Sequence, residues 1–153
     1  MILLLDASSY LKLYVAEPGT GVVKKLVREA AAIFAPQSTY VEARAILTRA
    51  VTVGVIREKL LAGLEADFER DWAGTNVIVP DQAMLRDAAA LVQRHGLNVE
   101  RAQNVAAAVR ITREFPTGTL IYCTADAFIQ ATADTEGIHT VITSSSPPRQ
   151  GNS

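Results

Sequence analysis

Met1-Ile2-Leu3-Leu4-Leu5-Asp6-Ala7-Ser8-Ser9-Tyr10-Leu11-Lys12-Leu13-Tyr14 opens the chain, and its reading decides the fold. Ile2 to Leu5 is an unbroken apolar run. A run this short, with no polar alternation, predicts a strand buried on both faces, as in the middle of a parallel sheet. Asp6 stands where the run stops. From Ala7 on, the apolar positions Leu11 and Val15 lie four apart, so a helix is expected to follow at once. Asp6 is thereby placed at the carboxyl end of a central strand and the amino end of a helix. In open α/β sheets, ligands bind outside the carboxyl ends of the strands. Taken alone, Asp6 reads as a helix N-cap, where Asp is favoured and its charge is stabilised by the helix dipole. Only other acids arriving at the same place change that reading.

The rest of the chain suits one domain. Its 153 residues are 49% AVILMFWYC, enough apolar material for one core and too much for a disordered or coiled-coil class. The formal net charge of −1 excludes a globally basic nucleic-acid binder. It leaves room for a local basic face or a metal-mediated contact with phosphate. The apolar runs are too short to span a bilayer, and no basic segment precedes a long apolar stretch in the manner of a signal peptide. The single cysteine, Cys123, has no partner for an internal disulfide and reads as a small core residue. Cytoplasmic localisation without membrane contact is expected. The Ser-, Pro- and Gly-rich segment 144–153 is expected to be a disordered tail, leaving residues 1–143 as the domain.

Along the chain, Glu17-Pro18-Gly19-Thr20 breaks the first helix, and Gly21 to Glu29 forms an amphipathic one with Val22, Val23, Leu26 and Val27 on its apolar side. Ile33-Phe34-Ala35-Pro36 predicts a second strand. Thr39-x-x-Glu42 fits a capping box, Thr39 as N-cap and Glu42 at N3, for a helix from about Tyr40 to Val53. Arg57 to Trp72 is a further helix with the stripe Leu60, Leu64, Phe68 and Trp72. Asn76 to Val79 is a short strand or an extended connection. Asp81 opens a helix that Gly96 ends, with His95 capping its negative end. Leu97 to about Glu114 is an Ala-rich helix suited to close packing on a sheet. Thr119 to Cys123 is a strand, Asp126 starts the next helix, and His139 to Ile142 is a last strand. This alternation predicts an α/β fold: three layers, α/β/α, around a central, mostly parallel sheet.

Asp6, Glu42 and Asp126 therefore each follow a strand and open a helix. If their strands are parallel neighbours, the three carboxylates share one sheet edge. Carboxylates so placed repel, and a proton or a cation must relieve them. A hard divalent ion with oxygen ligands does so, and such an ion activates water and stabilises charge on a phosphodiester. Other phosphate chemistries fit less well. A receiver needs a further Asp after a central strand, and a haloacid-type phosphatase wants an acid at position 8, which is Ser8. The first strand lacks the Gly-rich turn of dinucleotide binders, and no Cys/His cluster suits zinc.

The opening segment through Glu17-Pro18, the segment Ser38 to Ala43 with its acid Glu42, and Thr124-Ala125-Asp126 together resemble the motifs of PIN domains, most of all the VapC-type toxins of bacterial toxin–antitoxin pairs. The resemblance runs in order and spacing over nearly the whole chain up to the tail. It implies a PIN-like fold and a Mg²⁺- or Mn²⁺-dependent endoribonuclease. Asp6, Glu42 and Asp126 would be metal ligands, with Ser8 and Thr124 shaping the first and last motifs. It also implies an RNA substrate, a small antitoxin protein as partner, and a homodimer. Lys12, Arg44 and Arg49 lie near the first two motifs as candidate RNA-phosphate contacts, with solvated surface as their alternative.

One motif departs from the family. After the Gly96-Leu97 turn the family places a metal-binding acid where this chain has Arg101. Glu100 comes one residue earlier, rotated about 100° around the helix, and is a weaker substitute ligand. A guanidinium in the site repels a divalent cation, pairs with the remaining acids in its place, or contacts RNA phosphate. As a solvated helix residue it does none of these. The alternative function is thus a weakened PIN-like domain that binds RNA or a protein partner without cutting.

Overall fold

The computed structural model describes residues 1–144, so the expected tail lies almost wholly outside the described residues. Five strands form one sheet: β1 Ile2–Leu5, β2 Ala32–Pro36, β3 Asn76–Ile78, β4 Leu120–Thr124 and β5 Thr140–Ile142. Their order is β3-β2-β1-β4-β5, and all four pairings are parallel. β1 is central, hydrogen-bonded to β2 on one side and β4 on the other. The chain order reverses at β1, so the ligand-binding crevice of an open α/β sheet falls at its carboxyl end.

The burial of β1 explains its unbroken apolar run. Successive side chains point to opposite faces of the sheet. Ile2 and Leu4 pack under α5 Gln82–His95, α6 Val99–Glu114 and α7 Ala127–Thr135. Leu3 and Leu5 pack under the other layer, built from α1 Ala7–Tyr10, α2 Thr20–Glu29, α3 Thr39–Thr52 and α4 Glu58–Ala73. Leu3, Leu4 and Leu5 are fully buried. Burial of a Leu side chain is worth about 1.5–3 kcal/mol, so this strand anchors both layers at once. The Ala-rich helix behaves as its composition predicts, with Ala102, Ala106, Ala107 and Ala108 all buried in one cluster. Cys123 is buried in β4, and burial first pushes its thiol up to about 12, so it is an inert core residue.

Three local expectations differ from the structure. The helix after Asp6 lasts only one turn, Ala7–Tyr10, and then tightens into a 3-10 turn over Leu11–Leu13. The Tyr14 and Val15 amides both bond the Leu11 carbonyl, and Pro18 forecloses further helix. The capping box at Thr39 does not form. The helix starts one residue early, with Ser38 at the cap position, and the Thr39 hydroxyl is buried without a hydrogen-bond partner. Within the α4 stripe, Phe68 is fully buried but Leu60 is half exposed, because α4 packs along its C-terminal half. There Phe68 and Trp72 join Tyr10, Tyr14 and Tyr40 in an aromatic cluster with ring centroids 5.5–6.2 Å apart. Asp81 and Gly96 bound α5 as expected, with Asp81 accepting from the Met84 amide and Gly96 left-handed at φ 65°. Asp81 pairs with Arg110, and Asp87 with Arg113, both on α6. His95 bonds Glu136 at 2.8 Å.

Candidate active site

Asp6 is the end of β1 turned into the start of α1. Its carboxylate accepts from the Ser9 amide at 3.1 Å, as a helix cap does, and from the Ser8 hydroxyl at 2.6 Å. The same Ser8 oxygen accepts the Ala125 amide at 3.0 Å. Ser8 thus ties the end of β1 to the loop after β4. Thr124, the last residue of β4, accepts the Asp126 amide on its hydroxyl at 3.1 Å, and Asp126 caps α7 by accepting from the Phe128 and Ile129 amides. Ser8 bonds across to the last motif, while Thr124 bonds within it.

Glu42 enters from the first turn of α3, half-buried and three residues after Thr39, so the two side chains are neighbours on that helix. Its charge reaches Asp6. Burial above all raises the Asp6 carboxyl above its ordinary range, with Glu42 adding to the rise and the Ser8 and Thr124 hydroxyls and the Ser9 amide opposing it. Tyr122, fully buried in β4, reports the same convergence. Its phenol is held well above its ordinary range first by burial, then by the charges of Asp6, Asp126 and Glu42. All three charges thus act on the Tyr122 phenol. The acids do not close into a ligand set: among the described residues, no three His, Cys, Asp or Glu side chains are grouped to hold a metal ion.

Arg101 pairs with one of them, Asp126. Its Nε donates to Asp126 Oδ2 at 2.8 Å, and its guanidinium lies 4.5 Å from the centre of the Phe128 ring. Burial would raise the Asp126 carboxyl, but Arg101 and the Ile129 and Phe128 amides outweigh it and hold the group below the usual carboxylate range. Arg101 is thus a counter-charge to Asp126, not a solvated helix residue. Glu100, one position before it, is exposed at the start of α6. Asp6 and Glu42 form no ion pair among the described residues.

The candidate phosphate contacts fare differently. Lys12 is 2% exposed and pairs with Glu17 at 2.7 Å, so the expectation of a cation at the surface near the first motif is corrected. Arg44 is held by Glu65 at 3.2 Å and Glu69 at 2.6 Å on α4. Arg49 is exposed, about 10 Å along α3 from Glu42 at the helical rise. Sequence reasoning missed Phe128. Its signal was an aromatic two residues past the last acid, outside the apolar spacing of Ile129, Thr132 and Ala133 that faces the core.

The parallel α/β/α sandwich, with Asp6 at the end of its central strand and Asp126 after the neighbouring one, is PIN-like. Comparison with known proteins agrees with that class. No protein-family model matches the chain. It is 29% identical to ribonuclease VapC49 of Mycobacterium tuberculosis over 106 residues, which cover 69% of this chain and 74% of that protein. Among solved structures, it resembles PAE2754 from Pyrobaculum aerophilum with a TM-score of 0.66 at 16% identity, covering 92% of this chain and 89% of that one. It also resembles a chain of a toxin–antitoxin complex from Klebsiella pneumoniae, with a TM-score of 0.57 at 17% identity over 81% of this chain and 86% of that one. The chain is similar in sequence and fold to VapC-type PIN domains.

Proposed function

We propose that this protein is a divalent-metal-dependent endoribonuclease, the toxin of a toxin–antitoxin pair. The observation that supports it most is the state of Asp6: a carboxylate 4% exposed, beside the charge of Glu42, without a cation of its own among the described residues. Two such acids want a positive partner. Their oxygen donors suit Mg²⁺ or Mn²⁺, which commonly use one or two protein carboxylates and complete their shell with water and substrate phosphate. Asp6 and Glu42 would hold the ion, with Asp126 turned to Arg101. The bound ion supplies an activated water and charge stabilisation at a phosphodiester.

The chain's own groups divide the remaining work. Ser8 fixes one Asp6 oxygen and keeps the β1 and β4 ends in register. The α7 amides and Arg101 fix Asp126. Arg101 has only its Nε engaged in a hydrogen bond among the described residues, which leaves its terminal amino groups free to meet a phosphate oxygen. The names and settings of the similar proteins support RNA as substrate and a small antitoxin protein as partner. Homodimer formation and a cytoplasmic site of action belong to the same reading. Among the described residues, no helix is long and apolar enough to cross a membrane. The test is RNA cleavage with Mg²⁺ or Mn²⁺, by the unsubstituted protein and by Asp6→Ala. Cleavage that needs the metal and disappears in the variant supports the reading, and equal cleavage by both overturns it.

A further inference from the structure

The chain has nine aromatic residues, one Trp, four Tyr and four Phe, and Phe128 alone among them is exposed, at 65%. The others are buried or half-buried within the two layers. Phe128 occupies the first turn of α7, where its amide donates to Asp126 at 2.8 Å. Its backbone is therefore fixed to the very carboxylate that lines the site. One face of its ring is covered by the Arg101 guanidinium at 4.5 Å, and Arg101 is itself held by Asp126 at 2.8 Å. Asp126 thus holds both the Phe128 backbone and the Arg101 guanidinium that covers one ring face. Leaving an aromatic in water at the rim of a charged site has a cost that a stacking ligand recovers.

We propose that Phe128 is a base-stacking platform: it takes an unpaired nucleobase of single-stranded RNA on the ring face opposite Arg101, next to the phosphate to be cut. The inference rests on the ribonuclease reading and names a residue that positions its substrate. Unpaired bases stack on exposed aromatic rings with little regard to sequence, because every base has a π-face. The guanidinium behind the ring and the carboxylates beside it suit a ligand that combines a flat ring with an anionic backbone. An apolar protein segment finds no such match in that trio. Phe128 makes no contribution to the core, so its replacement changes the rim and not the fold.

The test uses the full chain carrying Asp6→Asn, which is expected to bind without cutting, and two short single strands of equal length. One is an RNA carrying the fluorescent base 2-aminopurine, the other the same backbone without bases. Cleavage by the otherwise unsubstituted protein is followed in parallel. Phe128→Ala is expected to weaken binding of the base-bearing strand roughly ten- to a hundredfold, the range seen when a stacking aromatic is truncated, and to leave the base-free strand unchanged. Phe128→Trp is expected to restore the affinity and the quenching of 2-aminopurine. Equal affinities for the base-bearing strand with and without the ring overturn the platform, while metal-dependent cleavage keeps the ribonuclease reading intact. Equal weakening for both strands also overturns it, because the ring would then act on the shape of the site and not on a base. Loss of a copurifying protein partner in Phe128→Ala at unchanged RNA affinity assigns the ring to a protein contact and overturns it too. A protein that neither binds nor cuts RNA removes the platform and the ribonuclease reading together.

Discussion

Asp6 is a group whose surroundings disfavour its charge, and this has a measurable consequence. Its carboxyl is raised above the unfolded value by burial first and by Glu42 after it. A raised carboxyl binds its proton more readily folded than unfolded, so its favourable contribution is full below the ordinary carboxylate range and is lost as pH rises through the folded value. At neutral pH without metal, Asp6 is therefore a liability. Asp6→Asn, which keeps an oxygen for the Ser8 and Ser9 donors, is expected to raise the melting temperature at pH 7 by roughly 2–4 °C for each kcal/mol relieved. The advantage shrinks as pH is lowered through the folded value. Thermal unfolding in a chelator across pH 4–8 checks it, and a destabilised Asp6→Asn at neutral pH would contradict the picture. Arg101 carries a second prediction. Its guanidinium sits on Asp126 and neutralises that acid. Arg101→Asp is expected to tighten Mn²⁺ binding by calorimetry by at least roughly tenfold, since unit charges near a protein surface interact by several kcal/mol before screening. Unchanged affinity would mean that Arg101 has no bearing on the ion.

At the scale of elements, the turn between the first helix and α2 depends on one glycine. Gly19 caps α2 with φ 89°, and a Cβ placed there would meet the Thr143 carbonyl oxygen at 2.0 Å. Neither the left-handed backbone nor the rigid neighbour accepts a side chain. Gly19→Ala is expected to cost at least about 2 kcal/mol, from the left-handed penalty plus the displacement of the end of β5. A denaturant melt reads it, and an unchanged midpoint would contradict this contact. The start of α3 points the other way. The Thr39 hydroxyl is buried and unpartnered, so Thr39→Val is expected to be neutral or to stabilise by up to about 1 kcal/mol. The elements were legible because their signals were strong: the apolar run of β1, the Asp81 and Gly96 boundaries of α5, the alanines of α6. The capping box failed because the helix begins one residue early, at Thr39, whose hydroxyl is buried in the core instead of capping. The first helix fell short because spacing alone does not report where Pro18 and the 3-10 tightening end it.

For the whole molecule, the order β3-β2-β1-β4-β5 places the strands that precede Asp6, Glu42 and Asp126 side by side, β1 between β2 and β4. Sequence reasoning found Asp6, Glu42 and Asp126 by their common address after strands. It offered pairing with the remaining acids as one of several roles for Arg101, and the choice of Asp126 as partner, across 25 residues, is a property of packing. Lys12 was misplaced for a related reason: a lysine followed at five residues by Glu17 in a bent segment is buried as a pair, and sequence gives no sign of the bend. The measurement that tests the account most directly is cleavage of a single-stranded RNA by the full chain, with Mn²⁺ and with a chelator, compared between the unsubstituted protein and Asp6→Asn. Cutting is expected only in Mn²⁺ and only with Asp6 intact. Cutting in the chelator, or equal cutting by Asp6→Asn, would contradict it.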